Sequence, residues 1–337
     1  MIELLVFTII LALVFDFLNG FHDSANAIST VVATRVMTPA QAVSMAAIGN
    51  LIGPLFFSTA IAATIGKGII DTTAIQAVLP QETFIVMILS ALVGAIVWNI
   101  LTWYFGIPVS SSHALIGGLI GAAMAAVGSS VLVMDGIFKV LIFMVVSPLL
   151  GFIAALLLAL LVMRTFRKSA PGKVNWWFRK LQLFSAFFYS VTHGTNDAQK
   201  TMGIITILLV VGGFLSSFVV PLWVILICHT SICLGTAMGG WRIVKTMAHK
   251  ITKLRPYQGF CAETAGGVVL VGMANMGIPV STTHAIAGGI MGVGSTKGAR
   301  NVRWGLSRNI VMAWIITIPF SALVGAFCFF VLGKVLA

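Results

Sequence analysis

A sixteen-residue segment occurs twice in this chain, and it constrains the fold more than any other feature. The first copy, GIPVSSSHALIGGLIG, spans residues 106–121, and the second, GIPVSTTHAIAGGIMG, spans residues 277–292. Ten of the sixteen positions are identical, and two of the differences exchange serine for threonine. A match of this length indicates a duplication, so we expect two structural repeats.

Each copy places a proline and three consecutive hydroxyl residues before an apolar, glycine-rich run. This order is typical of a helix start, because serine and threonine side chains cap the free backbone N–H groups of a first turn. A helix start inside an apolar chain carries unpaired donors and a partial positive charge, which suits an anion. Plain capping or helix–helix hydrogen bonding is the structural alternative. The hydroxyl residues are Ser110, Ser111, Ser112, Ser281, Thr282 and Thr283.

The composition indicates a membrane protein. Hydrophobic residues make up 59% and charged residues 8% of the 337 residues, whereas about 25% of a soluble domain is charged. Runs such as residues 140–163 and 310–332 exceed the ~20 apolar residues that span a bilayer as a helix. We therefore predict an all-α, multi-pass integral membrane protein, placed in the lipid bilayer of the plasma membrane or bacterial inner membrane.

Two smaller features agree with this class. The four cysteines lie in apolar runs without metal-type spacing, so we interpret them as small hydrophobic residues. The first apolar run continues into a polar motif without a small-residue cleavage site, which argues against a removed signal peptide.

The chain divides into a first membrane repeat at residues 1–163, a basic linker at 164–180 and a second repeat at 181–337. The linker holds six lysines or arginines and a pair of tryptophans, a composition suited to a membrane interface. Each repeat opens with an apolar run that contains a polar motif, NGFHDSANAIST in the first and GTNDAQKTMG in the second. We expect each motif to break its helix into two short pieces. A span at about residues 39–65 should follow in the first repeat.

Loop charges predict how the repeats are oriented. The basic loops at residues 242–255 and 297–308 hold five and four lysines or arginines, whereas the corresponding first-repeat loops mix single lysines with acidic residues. Corresponding loops should therefore lie on opposite sides of the membrane, with the basic loops and the linker in the cytoplasm and both termini outside. About five crossings per repeat would invert the second copy, with broken or re-entrant helices at the site. Short basic loops between spans also argue against nucleic-acid binding.

Acidic residues within the apolar runs point to an ion site. Asp23, Asp197 and Glu263 lie in such runs, as does Asp16, and a charge there costs at least ~2.5 kcal/mol unless it faces a polar cavity or a partner. A carboxylate together with amide, hydroxyl and unwound-backbone oxygens would form a cation site of the kind that sodium prefers. The structural alternative is an ion pair of Asp197 with Lys200. The matching place beside Asp23 holds an asparagine, which favours the functional interpretation.

The histidines near these motifs carry a weaker signal. His113 and His284 end the hydroxyl triplets, where hydrogen-bonded packing and a functional role are both open. His22 and His193 flank the aspartates at non-equivalent positions, so a shared role as a proton relay has little support.

The two polar motifs, together with PVSSSH and PVSTTH, resemble those of the inorganic phosphate transporter family, the PiT or Pho-4 permeases. The similarity covers essentially the whole chain. It implies a homodimeric secondary transporter without a cofactor, which takes up inorganic phosphate in symport with sodium or protons through inverted repeats. The short linker lacks the large cytoplasmic loop of animal members. A sulfate permease branch belongs to the same family, so the resemblance alone leaves the anion open.

The resemblance also implies roles for individual residues. The ion and substrate site would be lined by Asp23, Asn26, Asn196, Asp197 and Gln199. Of these, Asp23, Asn26, Asn196 and Asp197 would bind sodium. Glu263 is a candidate for a coupling carboxylate because it is acidic and lies in an apolar run, and not through the resemblance. The anion would bind to Ser110, Ser111, Ser281 and Thr282, with Ser112 and Thr283 completing the two triplets. His22 stands where the fuller family pattern has an asparagine.

Donors and acceptors favour phosphate over sulfate. Sulfate has no proton near neutral pH and needs only donors, whereas phosphate keeps at least one hydroxyl and also needs an acceptor. The candidate site offers acceptors in Asp23, Asp197, Gln199 and Glu263, and an unpaired buried carboxylate would repel fully ionised sulfate.

Two other functional classes fit less well. An anion channel would need no site for a coupling cation. A membrane phosphotransferase would need a nucleophile with a base or a metal cluster, and the sequence contains no such array at suitable spacing. We therefore do not expect an enzyme.

Overall fold

The computed structural model describes residues 1–55 and 59–336, and in these residues the regular structure is helical. The first repeat contains α1 (Ile2–Ala33), α2 (Pro39–Ile52), α3 (Ala60–Lys67), α4 (Thr72–Val78), α5 (Gln81–Phe105), α6 (Ser111–Ala126) and α7 (Met134–Thr165). The second contains α8 (Pro171–Val211), α9 (Leu222–Met238), α10 (Trp241–Lys245), α11 (Pro256–Asn275), α12 (Thr282–Ser295) and α13 (Trp304–Leu336). The described residues include four helices long and apolar enough to cross a membrane, or five if the bent pair α9–α10 is one span. The all-α membrane fold is confirmed.

Equivalent helices of the two repeats run in opposite directions. Near the end of α1, Thr34 Oγ1 donates to Gln182 Oε1 at 2.9 Å. Earlier in α1, Asp16 Oδ1 accepts from Thr201 Oγ1 at 3.0 Å. A later residue of α1 thus contacts an earlier residue of α8, so the two helices are antiparallel. They cross where the polar motifs lie. The predicted inversion of the second repeat is confirmed.

The loops pair up in the same inverted manner. In the first repeat, Asp71 N donates to Val131 O at 2.8 Å, which joins the two loops on that side. In the second repeat, Arg303 N donates to Ile251 O at 3.0 Å and joins the two basic loops. These basic loops lie beside the linker, because Arg255 lines one cavity together with Pro171. The amino terminus lies at the other end of the molecule, where its ammonium group pairs with Glu82. A cytoplasmic position for the basic end stays a prediction from its positive charge.

This orientation can be tested by accessibility labelling. Cysteines placed at Thr73 and Lys253, both exposed, should react with a membrane-impermeant maleimide from opposite faces of the membrane in a background without the native cysteines. Thr246, in the same basic segment, is unsuitable because it is buried and donates to Gly106 O at 2.8 Å. Labelling of both cysteines from one face would contradict the inverted arrangement.

The prediction that the polar motifs break their helices is wrong. Both α1 and α8 run through the motifs without interruption. Several motif side chains bond within the helix or to a neighbouring helix, as Asn196 Nδ2 does to Thr192 O at 2.8 Å, and the backbone keeps its helical hydrogen bonds. The glycine in each motif serves close packing: a Cβ on Gly20 would overlap Ile232 O, and one on Gly194 would overlap Asn50.

The breaks occur instead in the second span of each repeat. The predicted span at residues 39–65 is interrupted, with α2 ending at Ile52 and α3 beginning at Ala60; residues 56–58 lie outside the described part. In the second repeat, α9 and the helical segment after it meet at an angle of 58°. Gly239, with φ of 70°, forms that bend. A Gly-Pro pair at residues 53–54 and a Gly-Gly pair at 239–240 are the sequence signals of these breaks.

The duplicated segment forms the turn of a helical hairpin in each repeat. Gly106 ends α5 and Gly277 follows α11, both left-handed with φ of 66° and 65°, a conformation that favours glycine. The turn between α5 and α6 lies inside the molecule, because Thr102 Oγ1 is 3.2 Å from His22 Nε2 at the level where α1 and α8 cross. The motif helices α6 and α12 therefore start near the centre.

The last helix of each repeat packs against the motif helix of the other repeat. In the packing, α6 lies against α13, and α12 lies against α7. Glycine permits this close approach, since a Cβ on Gly121 would overlap Ala322 O and one on Gly292 would overlap Phe152 O. Large apolar side chains such as those of Leu157 and Phe327 are exposed on the outer faces of α7 and α13, as expected where a helix contacts lipid.

We expect Gly121→Ala to lower the melting temperature of the purified protein. The new methyl group has to push α13 away from α6, and overpacking of this kind typically costs about 1–3 kcal/mol. Gly272→Ala is the matched control, because a Cβ at that exposed helical position would meet nothing within 4 Å. Equal melting temperatures for the two variants would contradict the close packing of α6 against α13.

Regular structure extends into the linker and one loop. The linker at 164–180 consists of the last two residues of α7, a short connection and the first turns of α8. The first-repeat loop contains α4, whose N-cap residue Asp71 accepts from Ala74 N at 3.0 Å. We retain the division into residues 1–163, 164–180 and 181–337 as a proposal.

Candidate functional site

The two motif aspartates lie together at the crossing of α1 and α8. Asp23, His193 and Asp197 each offer one ligand atom, and the three atoms lie within 4.8 Å of one another. Asp23 is 3% exposed and Asp197 is fully buried. Because the repeats are inverted, residues that are 174 positions apart in the sequence meet at one place.

Asp23 contacts a histidine and a hydroxyl. Its Oδ1 is 2.7 Å from His22 Nδ1, and its Oδ2 accepts from Thr283 Oγ1 at 3.4 Å. The second ring nitrogen of His22 lies 3.2 Å from Thr102 Oγ1. Within the described residues, Asp23 has no lysine or arginine partner.

Asp197 is held in an ion pair. Lys200 Nζ donates to its Oδ1, and both side chains are buried. Its Oδ2 lies 3.1 Å from His193 Nε2 and accepts from Thr282 Oγ1 at 3.1 Å. The ion pair that the sequence leaves as the structural alternative is thus present in the structure, in the second repeat.

Of the two motif asparagines, Asn26 bonds to the hydroxyls that contact the aspartates, whereas Asn196 bonds within α8. Asn26 Nδ2 donates to Thr283 Oγ1 at 2.9 Å and to Thr282 Oγ1 at 3.3 Å. The Oδ1 atoms of Asn26 and Asn196 are buried, and no residue in the described part of the chain donates to them. Burying an oxygen without a hydrogen-bond donor costs free energy, and a bound cation would offset that cost.

The starts of α6 and α12 meet beside these carboxylates. Ser110 and Ser281 cap the two helices, accepting from His113 N at 3.3 Å and from His284 N at 3.1 Å. The rings of these two histidines are 4.9 Å apart. Both helix dipoles therefore direct their positive ends toward the centre. Ser111 Oγ is buried there, with no partner in the described residues.

Thr282 and Thr283 connect the start of α12 to the aspartates. Their hydroxyls bond to the aspartates and to Asn26, while the carbonyl oxygen of Thr282 accepts from Tyr189 Oη at 3.0 Å. The first turn of α12 is thereby attached to both α1 and α8. The corresponding triplet of α6, including Ser112, has no such bond to the aspartates among the described residues.

Three polar residues that the sequence suggests for the site do not contact the two motif aspartates. Gln199 Oε1 accepts from Ile61 N at 2.9 Å and from Ala62 N at 3.3 Å, so it caps α3. Glu263 accepts from Ser185 Oγ and from Gln182 Nε2, the latter at 3.0 Å. The side-chain oxygens of Gln199 and Glu263 therefore accept from other parts of the protein and do not contact the aspartates. Asp16 accepts from Thr201 further along α8.

Thr102 and Tyr189 contact the site and are absent from the predicted set. Thr102 is one of few polar residues in the apolar run of α5, a signal that could have identified it. Tyr189 lies eight residues before Asp197, which puts both on one face of α8, but a tyrosine in an apolar run is too common a pattern to single out.

The net charge of the cluster favours a cation. Among the described residues of the cluster, the carboxylates of Asp23 and Asp197 and the ammonium of Lys200 leave a single negative charge, before His22 and His193 are counted. Asp23 contacts His22 and Thr283 but no lysine or arginine in the described residues, and a cation beside it would offset the cost of its burial. The converging helix starts offer the complementary attraction for an anion.

Comparison with known proteins agrees with this architecture. A model described as the phosphate transporter family matches residues 19–177 and 166–325. A Rhizobium meliloti (strain 1021) protein named "probable low-affinity inorganic phosphate transporter" is 55% identical over 328 residues, covering 97% of this chain and 96% of the relative. A Bacillus subtilis (strain 168) protein of the same name is 43% identical over 333 residues, covering 98% of each.

A solved structure has the same fold. It is titled "The sodium-dependent phosphate transporter" and superposes with a TM-score of 0.87 at 23% identity, covering 98% of this chain and 99% of that one. The family match and the apolar helices make this chain a multi-pass protein of the plasma membrane. With full-length relatives above 40% identity and the family model matched in both repeats, this chain belongs to the phosphate transporter family.

Proposed function

We propose that this protein is a secondary transporter that takes up inorganic phosphate across the plasma membrane together with a cation. The observation that carries the proposal is the convergence of two capped helix starts on a pair of buried aspartates at the crossing of inverted repeats. Sites of this kind, at the interface of inverted repeats, serve secondary transporters.

The anion would bind between the starts of α6 and α12. Ser110, Ser111 and Ser112 on one side and Ser281, Thr282 and Thr283 on the other would supply hydroxyl donors, in addition to backbone N–H groups. Ser111 Oγ, which is buried without a partner among the described residues, supports this assignment. Gln199 is a weaker candidate than the sequence indicates, since its oxygen already accepts two backbone N–H groups.

The coupling cation, sodium or a proton, would bind at the aspartates. Asp23 and Asn26 provide a carboxylate and an open amide oxygen, and Asn196 offers a second amide oxygen. Asp197 would contribute through Thr282, because its own charge is already paired with Lys200. Glu263 accepts from the α8 side chains of Gln182 and Ser185, so it would contribute to coupling through α8 and not by direct contact with the cation.

The names of the relatives support phosphate as the anion. Local chemistry supports it too, because Asp23 can accept a hydrogen bond from a phosphate hydroxyl, whereas it would repel sulfate. The resemblance further implies a homodimer without a cofactor, and we include both in the proposal. Membership in a transporter family favours transport over phosphotransferase activity.

Competition between anions tests the substrate. We expect a hundredfold excess of sulfate to leave uptake of labelled phosphate nearly unchanged, because sulfate cannot donate to Asp23. The apparent affinity for phosphate should change between pH 6 and 8 as the monobasic and dibasic forms exchange. Strong competition, with measurable accumulation of labelled sulfate, would assign the protein to sulfate instead.

A further inference from the structure

The two halves of the site differ in charge at one pair of equivalent positions. Asn26 follows Asp23 by three residues in α1, and Lys200 follows Asp197 by three residues in α8. The spacing places each side chain one helical turn from its aspartate, on the same face. An uncharged amide and an ammonium therefore occupy corresponding places in a pseudo-symmetric site.

Their contacts differ accordingly. Lys200 is 1% exposed, and its Nζ donates to Asp197 Oδ1. On the other side, Asn26 Nδ2 donates to the α12 hydroxyls, and its Oδ1 has no partner in the described residues. The first half thus offers a carboxylate and a free oxygen, whereas in the second half a positive charge is already in contact with the carboxylate.

A buried lysine attached to the same helix as its carboxylate cannot leave during transport as a dissolved ion can. Its stem fixes the ammonium within reach of Asp197, and the low dielectric of the interior strengthens the pair. The second carboxylate is therefore neutralised at every stage in which this geometry persists.

We propose that the Lys200 ammonium is a built-in cation, which takes the place beside Asp197 that an exchangeable ion would otherwise take, so that only the Asp23 half binds the transported cation. This inference rests on the proposed function. Its consequence is that the number of cations moved with each phosphate is one lower than in a site with two open aspartates.

The test is Lys200→Asn, which gives the second repeat the residue found in the first. We expect equilibrium binding of radioactive sodium to the purified protein to rise by about one ion per chain over wild type, whichever cation the wild type uses. Sodium chloride, compared with choline chloride, should also raise the melting temperature of the variant by about 5 °C more than that of wild type at a hundredfold excess over its Kd.

Two control variants separate this from a general disturbance of the site. Lys200→Arg keeps the charge, so it should bind no additional sodium. The double variant Asp197→Asn with Lys200→Asn removes the carboxylate, so the additional sodium should be lost. If Lys200→Asn proves too unstable to purify, Asn26→Lys gives the reciprocal test and should remove the cation dependence of phosphate binding.

The outcomes are distinct. A Lys200→Asn protein that binds no more sodium than wild type would overturn the proposal. So would a fall in phosphate affinity that is equal at every sodium concentration, because that result would assign the ammonium to the anion. Wild-type phosphate uptake in vesicles reports separately on the proposed function, since its absence would reject that function while the sodium count still decides the role of Lys200.

Discussion

Replacing Asp197 by asparagine should destabilise the whole protein. The variant leaves the Lys200 ammonium buried without its carboxylate, and breaking a buried ion pair by removing one partner costs about 3–5 kcal/mol. That is a large fraction of the roughly 5–15 kcal/mol by which proteins are stable. Thermal unfolding in detergent, followed by size-exclusion chromatography, should show a lower melting temperature and aggregation at temperatures where wild type remains monodisperse.

A matched double variant isolates the cause. Asp197→Asn combined with Lys200→Met removes both charges and keeps a side chain of similar length, so much of the lost stability should return, since a buried pair can often be replaced by neutral groups at little cost. An unaltered melting temperature for the single variant would show that the pair contributes little.

Replacing Asp23 by asparagine should impair phosphate uptake and leave the stability of the protein nearly unchanged. Asp23 has no lysine or arginine partner in the part of the chain that the structure describes, so its neutralisation should change the melting temperature little. A transported cation would lose its carboxylate at a cost of roughly 3–5 kcal/mol, which corresponds to a loss of more than a hundredfold in binding. Cation-driven phosphate uptake should therefore fall by about that factor.

Asp71→Asn is the control for this variant. It also exchanges a carboxylate for an amide, but in the exposed loop before α4, where the new side chain can still cap that helix. Uptake by Asp71→Asn should equal that of wild type. Uptake by Asp23→Asn at the wild-type rate would contradict the role of Asp23 in the proposed cation site. A variant that fails to fold would contradict the expectation that this carboxylate contributes little to stability.

Some of this architecture follows directly from the sequence. The duplication is visible as repeated letters, and the contrast between loop charges predicts the inversion because lysines and arginines remain on one side of a membrane. The helix starts at Ser110 and Ser281 follow from capping chemistry that is local to a few residues. The two aspartates come close together because the repeats are inverted, so that α1 and α8 cross at their polar motifs.

The remainder depends on contacts that sequence cannot show. The motifs look like helix breaks because they are polar. Their side chains nevertheless bond to a neighbouring helix, as Asn26 does, or within their own helix, as Asn196 does, and the backbone stays helical. Gln199 sits among site residues in the motif, but the break before α3 supplies two free N–H groups that its oxygen caps. Which of these competing partners a polar side chain takes is decided by distances across helices, and a single sequence does not contain them.

The central claim, coupled uptake of phosphate, is tested most directly in proteoliposomes. The purified protein is reconstituted, sodium and proton gradients are imposed separately, and accumulation of labelled phosphate is followed. We predict accumulation above the external concentration with one of the two inward gradients, and no accumulation after both are dissipated. Phosphate that only equilibrates across the membrane under every gradient, with currents far above the turnover of a transporter, would contradict the account and indicate a channel.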